Sequence, residues 1–376
     1  MEEQVLLAGG GHHVGTKNFS SLRYLTFGKS FSPYVLVEYL RDLFGPVIFF
    51  DHLLSITQQY SICDIDVINE EGTKALSTGF NLALFGEPGT GKTFATKDMI
   101  LGNSEQGVPA HGLPGLNRYC GGMTHAKFIA IGEAYEGRKF NFIVTEFNDW
   151  FKYKGMVEPL KLAMERGEIR YETKTYTVGP YKFSSFFAVN YNTQVYETGY
   201  EVTVSDPNFN AIEDRMLCRL HRLTKEKYGE LSRSQRNLML GILQSKMVKV
   251  APRLRDHLTL VYAIQTKYPH ASLSFKEKKV LMTNEILNLL DRARDLILEN
   301  LQTKTVPFSM RLERRALQLA AAMSLMNYFK TDSDVIPIDS FAARMAIQFF
   351  VEEAYVRSNE AFPLTEVLRR LFSDTS

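Results

Sequence analysis

The 376-residue sequence contains three cysteines, Cys63, Cys120 and Cys218, and no two of them form a CxxC pair. This spacing argues against a disulfide framework and against a structural zinc site, so three reduced thiols in a reducing compartment are expected. There is no run of about 18 apolar residues, the length a helix needs to cross a bilayer, so no membrane span is expected. Nor is there an excess of one charge: 44 basic residues face 42 acidic ones, for a net charge of +2. Such a balance exerts no global pull toward nucleic acid or membrane, and any nucleic-acid contact needs a local basic surface. The start, Met1-Glu2-Glu3, is acidic and lacks a secretion-signal pattern. A cytoplasmic protein is therefore expected, or a nuclear one if the source has a nucleus. No internal repeat or low-complexity tract occurs. His12-His13, after Gly9-Gly10-Gly11, has no carboxylate or cysteine close in sequence and reads as a solvated pair rather than a metal site.

What is present is the composition of a soluble globular chain, 45% hydrophobic and 23% charged, long enough for one large domain or two smaller ones. Residues 1–33 read as an irregular arm. From about 34 to 59, Val35, Val37, Leu40, Leu43 and Phe44 fall at helical spacing and predict a helical layer. Strand-type and helix-type segments then alternate to about residue 225, which predicts a parallel sheet with covering helices. Beyond 226 the strand signals fade. Val280, Leu281, Ile286, Leu287 and Leu290 follow a helical period, and a later helix starts near Ser309 with Leu312, Ala316, Leu319 and Met323 on one face. The expected organisation is thus an arm (1–33), an α/β core (34–225) and an all-helical C-terminal domain (226–376).

The most specific local pattern is Gly86-Glu87-Pro88-Gly89-Thr90-Gly91-Lys92-Thr93, which fits GxxxxGKT. It follows a buried strand, Phe80 to Phe85, and precedes a helix that runs from Lys92 to Leu101. Glycines at these positions let backbone N–H groups turn inward around phosphate oxygens. The helix start adds positive dipole character. Lys92 is placed to neutralise the terminal phosphates, and the Thr93 hydroxyl to ligate Mg²⁺. ATP and Mg²⁺ are the expected ligands of a P-loop NTPase.

A second hydrophobic strand, Phe140 to Val144, runs into Thr145-Glu146-Phe147-Asn148-Asp149. An acid at such a strand end holds Mg²⁺ or orients the attacking water. Glu146 is the candidate; Asp149 is the weaker alternative. Thr145 stands where NTPases usually carry an aspartate and contributes a hydroxyl but no charge.

From Glu146 onward the order of segments resembles the AAA+ ATPases of the MoxR and minichromosome-maintenance (MCM) branch. A helix from Val157 to Glu168 leads into an alternating stretch, Ile169 to Val178, that turns near Lys174 as a β-hairpin does, and a strand from Ser185 to Val189 ends in Asn190-Tyr191-Asn192. In this branch a hairpin precedes the strand that ends in the sensor-1 asparagine. Asn190 matches that residue, with Asn192 as the alternative. Ala211 to Leu217 resembles the stretch that carries the arginine finger, which makes Arg215 the matching arginine, with Met216 in place of the usual Phe and Arg219 four residues on. Ser309 to Glu313 resembles the sensor-2 region, with Arg311 as the matching arginine and Arg253 as its rival. Val335 to Asp339, followed by a helix, resembles the last helix of such lids. The resemblance spans roughly residues 75–350, and residues 1–60 do not resemble the amino-terminal domain of complete MCM helicases.

The resemblance implies an AAA+ core with a parallel sheet and a helical lid, assembled into a homo-oligomeric ring, most often a hexamer, with ATP between subunits. Two functions follow. One is an MCM-like motor that moves DNA through a central pore, with Lys174 and Arg170 tracking the phosphate backbone. The other is a MoxR-like ATPase that remodels a protein client. The MCM-like motor is the leading expectation.

Overall fold

Alternation along five short strands builds the centre of the molecule. In the computed structural model, which describes residues 22–137, 139–152, 155–165, 168–172, 177–182, 184–192, 194–196, 199–201, 212–268 and 275–373, the chain opens with helices α1 (Leu22–Ser30), α2 (Pro33–Phe44) and α3 (Phe49–Ser61). An antiparallel pair follows, β1 (Asp66–Ile68) and β2 (Lys74–Ser77). Then come β3 (Asn81–Gly86), a helix α4 that begins in a wide π-type turn (Phe94–Asp98) and continues as Met99–Leu101, β4 (Asn117–Tyr119), α5 (His125–Ala134) and β5 (Lys139–Val144). A 3₁₀ turn (Phe147–Lys152) and α6 (Val157–Glu165) lead to β6 (Glu168–Glu172), β7 (Thr177–Lys182) and β8 (Ser184–Asn192), then to β9 (Gln194–Tyr196), β10 (Gly199–Glu201) and β11 (Met216–His221).

Strands β11, β3, β8, β5 and β4 lie in that order, every neighbouring pair parallel. Successive strand residues point to opposite faces, and both faces are apolar. Leu82, Leu84, Ile143, Ala188 and Leu217 pack on one side. Ala83, Phe85, Phe142, Val144, Phe187, Val189 and Cys218 pack on the other, with Phe128 of α5, Leu160 of α6 and Trp150. A parallel sheet buried on both faces is the expected arrangement for strands joined by helical crossovers. The fold is α/β, as the alternation of segments predicts.

The rest of the chain covers the first face. It contains α7 (Lys225–Met239), α8 (Ile242–Gln265), β12 (Lys279–Leu281), α9 (Asn284–Asn300), α10 (Met310–Ser324), β13 (Val335–Pro337), α11 (Ser340–Arg357) and α12 (Leu364–Ser373). Residues from both sides of position 225 enter one apolar cluster: Leu40 and Leu54 meet Leu254, Leu319 and Phe350 there. Helix α10 begins where its cap predicts, the Ser309 hydroxyl accepting from Arg311 N–H.

Two features depart from the expectations. Residues 22–30, assigned to an irregular arm, form helix α1. The C-terminal part is not all helical: β12 and β13 complete a second sheet in the order β13-β12-β1-β2. Val280 and Leu281, counted into a helical period, are strand residues paired with Val67 and Ile68. A three-residue strand carries too little pattern to outweigh the helix beside it.

Candidate functional site

The glycine-rich loop turns from β3 into α4 as its sequence requires. Gly86, Gly89 and Gly91 all have positive φ, at 148°, 81° and 82°, a region that L side chains rarely adopt. At Gly86 the constraint is doubled, because a β-carbon there would lie 2.6 Å from the Cβ of His221. Lys92 is buried beneath the loop. Its ammonium donates to Gly86 O at 3.0 Å, Glu87 O at 2.6 Å and Thr90 Oγ1 at 3.2 Å. Burial pushes its pKa down to about 8, helped by the nearby Lys227, while Glu146, Asp51 and Glu87 pull it back up.

Asn190, at the end of β8, is also brought here. It is buried, its Oδ1 accepts from Thr96 Oγ1 at 3.0 Å and its Nδ2 donates to Thr93 Oγ1 at 3.3 Å. The π-type turn that opens α4 presents Thr96 toward this asparagine, a frequent use of such turns near functional sites. Glu146 lies two residues past the end of β5 and is exposed at the pocket. The Thr145 hydroxyl lies 3.3 Å from that of Tyr119. Asp149 sits in the following 3₁₀ turn, its N–H donating to Glu146 O, and it does not line the pocket.

These groups open onto one cavity of about 460 Å³. Its polar end is Pro88 to Thr93 with Thr145, Glu146 and Asn190. Its other end is mostly apolar, made by Phe44, Ile48, His52 and Phe94 with Leu231, Leu238 and Leu243, and with Ser234 and Gln235 as its polar members. Glu230 fixes that end by accepting from the N–H groups of Val47 and Ile48, each at 2.9 Å, which ties α7 across the α2–α3 turn. The apolar end is what sequence reasoning missed. Its signal was faint: Leu231 and Leu238, seven residues apart, are apolar positions on the otherwise polar helix α7.

A hard-oxygen donor set, the Thr93 hydroxyl and the Glu146 carboxylate beside a phosphate loop, suits Mg²⁺, which is held by few protein oxygens and by substrate phosphates. The residues present therefore fit the expected ion.

Three predicted site residues lie elsewhere. β11 runs parallel to β3 with Met216 opposite Asn81 and His221 opposite Gly86. Arg215 is thus six strand positions, about 20 Å, from the loop. It pairs with Glu165 at 2.6 Å. Arg311 is at the same end, bonded to Asp214, and does not line the pocket. Arg170 is exposed on β6 and pairs with Glu172 at 2.6 Å. Lys174 lies outside the described residues, although β6 and β7 on either side of it form the antiparallel pair expected.

Arg219, the alternative to Arg215, is structural. It is largely buried, bonds Glu352 at 2.8 Å and Glu353 at 3.2 Å, and lies 3.7 Å from Asp51. Asp51 also pairs with Lys227 at 3.3 Å, and Lys227 bonds His221 Nδ1. Burial, then the cations Lys227, Arg219 and Lys92, hold His221 well below its ordinary pKa, so it is neutral and accepts from Lys227. The network joins α3, β11, α7 and α11 directly behind Gly86.

Glu353 gives that network a testable pH dependence. Burial pushes its carboxyl up to about 7, against the pull of Arg219 and Arg357. Between about 4.5 and 7 the folded chain keeps a proton that the unfolded chain has lost, so this group's contribution to stability falls as pH rises through that window. Glu353→Gln, which is neutral throughout, is expected to gain melting temperature relative to the parent from pH 4.5 to 7. A constant difference across that window would mean that Arg219 keeps Glu353 ionised.

No family model matches the chain, and no curated protein matches it. Among the described residues no helix is long and apolar enough to cross a membrane.

Proposed function

We propose that the protein is a ring-forming AAA+-type ATPase that uses ATP hydrolysis to move DNA through a central pore. The observation that carries the nucleotide part is the convergence of Lys92, Thr93, Glu146 and Asn190, from the ends of three parallel strands, on one pocket with an apolar far end. Ligands of open parallel sheets bind in the crevice beyond the carboxyl ends of the strands, and the triphosphate, Mg²⁺ and base match the pocket's polar and apolar ends in that order. When bound, Mg²⁺ neutralises charge on the phosphates. The protein groups do the rest. Lys92 leaves its loop carbonyls for phosphate oxygens, Asn190 holds Thr93 in place, and Glu146 orients the attacking water.

The ring is supported by the placement of Arg215. An arginine at the far end of the sheet acts on a nucleotide only if that nucleotide is held by another subunit, which is how a finger in trans stabilises the developing charge. Arg311, beside it, is assigned to the same neighbouring site.

The DNA part rests on the resemblance of the hairpin block and on the antiparallel β6–β7 pair. The pairing of Arg170 with Glu172 favours a second reading, a protein-remodelling ATPase, because it neutralises one of the two cations assigned to the DNA backbone. ATPase assays across protein concentration, with and without single-stranded DNA, separate these. The motor is expected to show a specific activity that rises with concentration and is stimulated by DNA, an effect that fades with salt as counterion release requires. Activity with no DNA binding at low salt selects the protein remodeller. Full activity in a strict monomer removes the ring.

A further inference from the structure

The apolar end of the pocket holds a polar atom that the fold leaves unsatisfied. His52, on α3, lines the pocket and is 4% exposed. Its ring stacks on Phe44, with centroids 3.7 Å apart and planes 16° apart, and meets Phe94 edge-on at 5.8 Å. Its Nδ1 is buried and has no hydrogen-bond partner. His257 Nε2 and His221 Nε2 are also buried without a partner, but each of those rings is bonded through its other nitrogen, whereas His52 is bonded through neither. His257 Nδ1 is bonded by the Tyr60 hydroxyl and His111 Nε2 by the Tyr39 hydroxyl, each at 2.8 Å. Leaving a buried polar group unpaired forfeits free energy that a ligand supplying the partner recovers.

The chemistry of the ring suits a nucleobase. Burial, with smaller contributions from His111 and Lys227, holds the His52 pKa down to about 3. The imidazole is therefore neutral across the physiological range, with one N–H donor and one lone-pair acceptor. A 180° turn about the Cβ–Cγ bond exchanges ring nitrogens and carbons while keeping the stack on Phe44. As the ring stands Nδ1 is closed off, so a ligand meets it only through such a turn. The surrounding walls, Ile48, Leu231, Leu238 and Leu243, supply apolar contact that any base satisfies, and Ser234 and Gln235 are the other polar side chains that line this end. A hydrophobic wall discriminates weakly among isosteres, whereas a buried hydrogen-bonding group rejects an analogue that lacks the matching atom.

We infer that His52 reads the edge of the bound nucleobase, its acceptor nitrogen taking a hydrogen bond from the exocyclic 6-amino group of a 6-aminopurine nucleoside triphosphate. This deepens the nucleotide reading of the pocket and rests on it. It assigns base selectivity to a side chain of α3, outside the phosphate loop.

The test compares ATP with purine riboside triphosphate, which lacks only the 6-amino group, by equilibrium binding with Mg²⁺. The parent protein is expected to bind the analogue about 3- to 10-fold more weakly than ATP, the range of one neutral hydrogen bond. His52→Phe keeps the ring stack and is expected to bind the two equally. His52→Gln, which restores an acceptor, is expected to recover part of the difference, and a Phe variant that fails to fold leaves the Gln variant and the parent to decide. Equal binding of both nucleotides by the parent, or an undiminished difference in His52→Phe, overturns the role of His52 while leaving the nucleotide site standing. If the parent binds neither nucleotide, the nucleotide reading itself fails.

Discussion

Lys92→Ala is expected to abolish measurable binding of Mg-ATP. Lys92 is 5% exposed, and its ammonium is held under the loop by Gly86 O, Glu87 O and Thr90 Oγ1. Those partners are neutral, and a triphosphate competes for the same donors with formal negative charge, which strengthens each hydrogen bond. Truncating one partner of a buried, hydrogen-bonded charge pair costs about 2–5 kcal/mol, or roughly 30-fold to several thousand-fold in Kd. Alanine also removes three ties within the loop, so Lys92→Met, which keeps the aliphatic stem, separates lost charge from lost packing. Calorimetric titration with Mg-ATP measures the affinity directly. The melting temperature gives a second readout, because a ligand that binds only the folded chain raises stability in step with its saturation. ATP is expected to raise it in the parent and not in either variant. A variant that binds ATP within threefold of the parent would sink the phosphate-loop reading and, with it, every role assigned to the pocket.

The parts of this site that were legible in the sequence are those with a local physical requirement. Gly86, Gly89 and Gly91 are demanded by positive φ over a few residues, and Lys92 and Thr93 by the turn that follows. The strands before Gly86 and before Thr145 announce themselves as short apolar runs, because the sheet is buried on both faces. Asn190 was readable from its place at a strand end. What stayed hidden depends on distant pairings. Phe44, Ile48 and His52 meet Leu231 and Leu238 only because Glu230 reaches the backbone of Val47 and Ile48, a contact across more than 180 residues. The membership of Val280 and Ile336 in a sheet with Val67 was hidden for the same reason: three-residue strands are defined by their partners. Arg219 shows the limit from the other side. Its sequence neighbourhood suggests a finger, and only the carboxylates of Glu352 and the buried Glu353 and Asp51 around it mark it as structural.

The geometry also separates two of the arginines from the pocket. The pocket sits at the carboxyl ends of β3, β5 and β8, whereas Arg215 and Arg311 sit at the amino end of β11, held by Glu165 and Asp214. Asn81 fastens that amino end, its side chain bonding Arg215 O and Phe187 N–H. The backbone that carries Arg215 is therefore fixed to the same sheet that carries the loop.

Glu146→Gln is expected to slow ATP turnover by about 10²- to 10⁴-fold, the usual contribution of a positioned general base, while leaving ATP affinity unchanged or slightly higher. Glu146 is the one carboxylate among the described residues that line the pocket. It is close enough to Lys92 for its charge to raise the lysine's pKa, which places it beside the buried ammonium of the loop. Its neighbour Thr145 is neutral and lies 3.3 Å from the Tyr119 hydroxyl, so it offers no base. Glutamine keeps the size of the side chain and one acceptor oxygen but cannot take a proton from water. The amide oxygen of glutamine can still face Mg²⁺, and removing a negative charge beside a triphosphate relieves repulsion, which is why binding should not weaken. Single-turnover hydrolysis and equilibrium binding on the same variant separate the two effects: a fall in rate with unchanged Kd is the signature of a group that acts on the transition state. Asp149→Asn serves as the control, because Asp149 lies in the 3₁₀ turn beyond the strand end and does not line the pocket. It is expected to hydrolyse ATP at close to the parent rate. If Asp149→Asn is the inactive variant and Glu146→Gln turns over normally, the water is oriented from the turn rather than from the strand end, and the assignment of Glu146 is wrong.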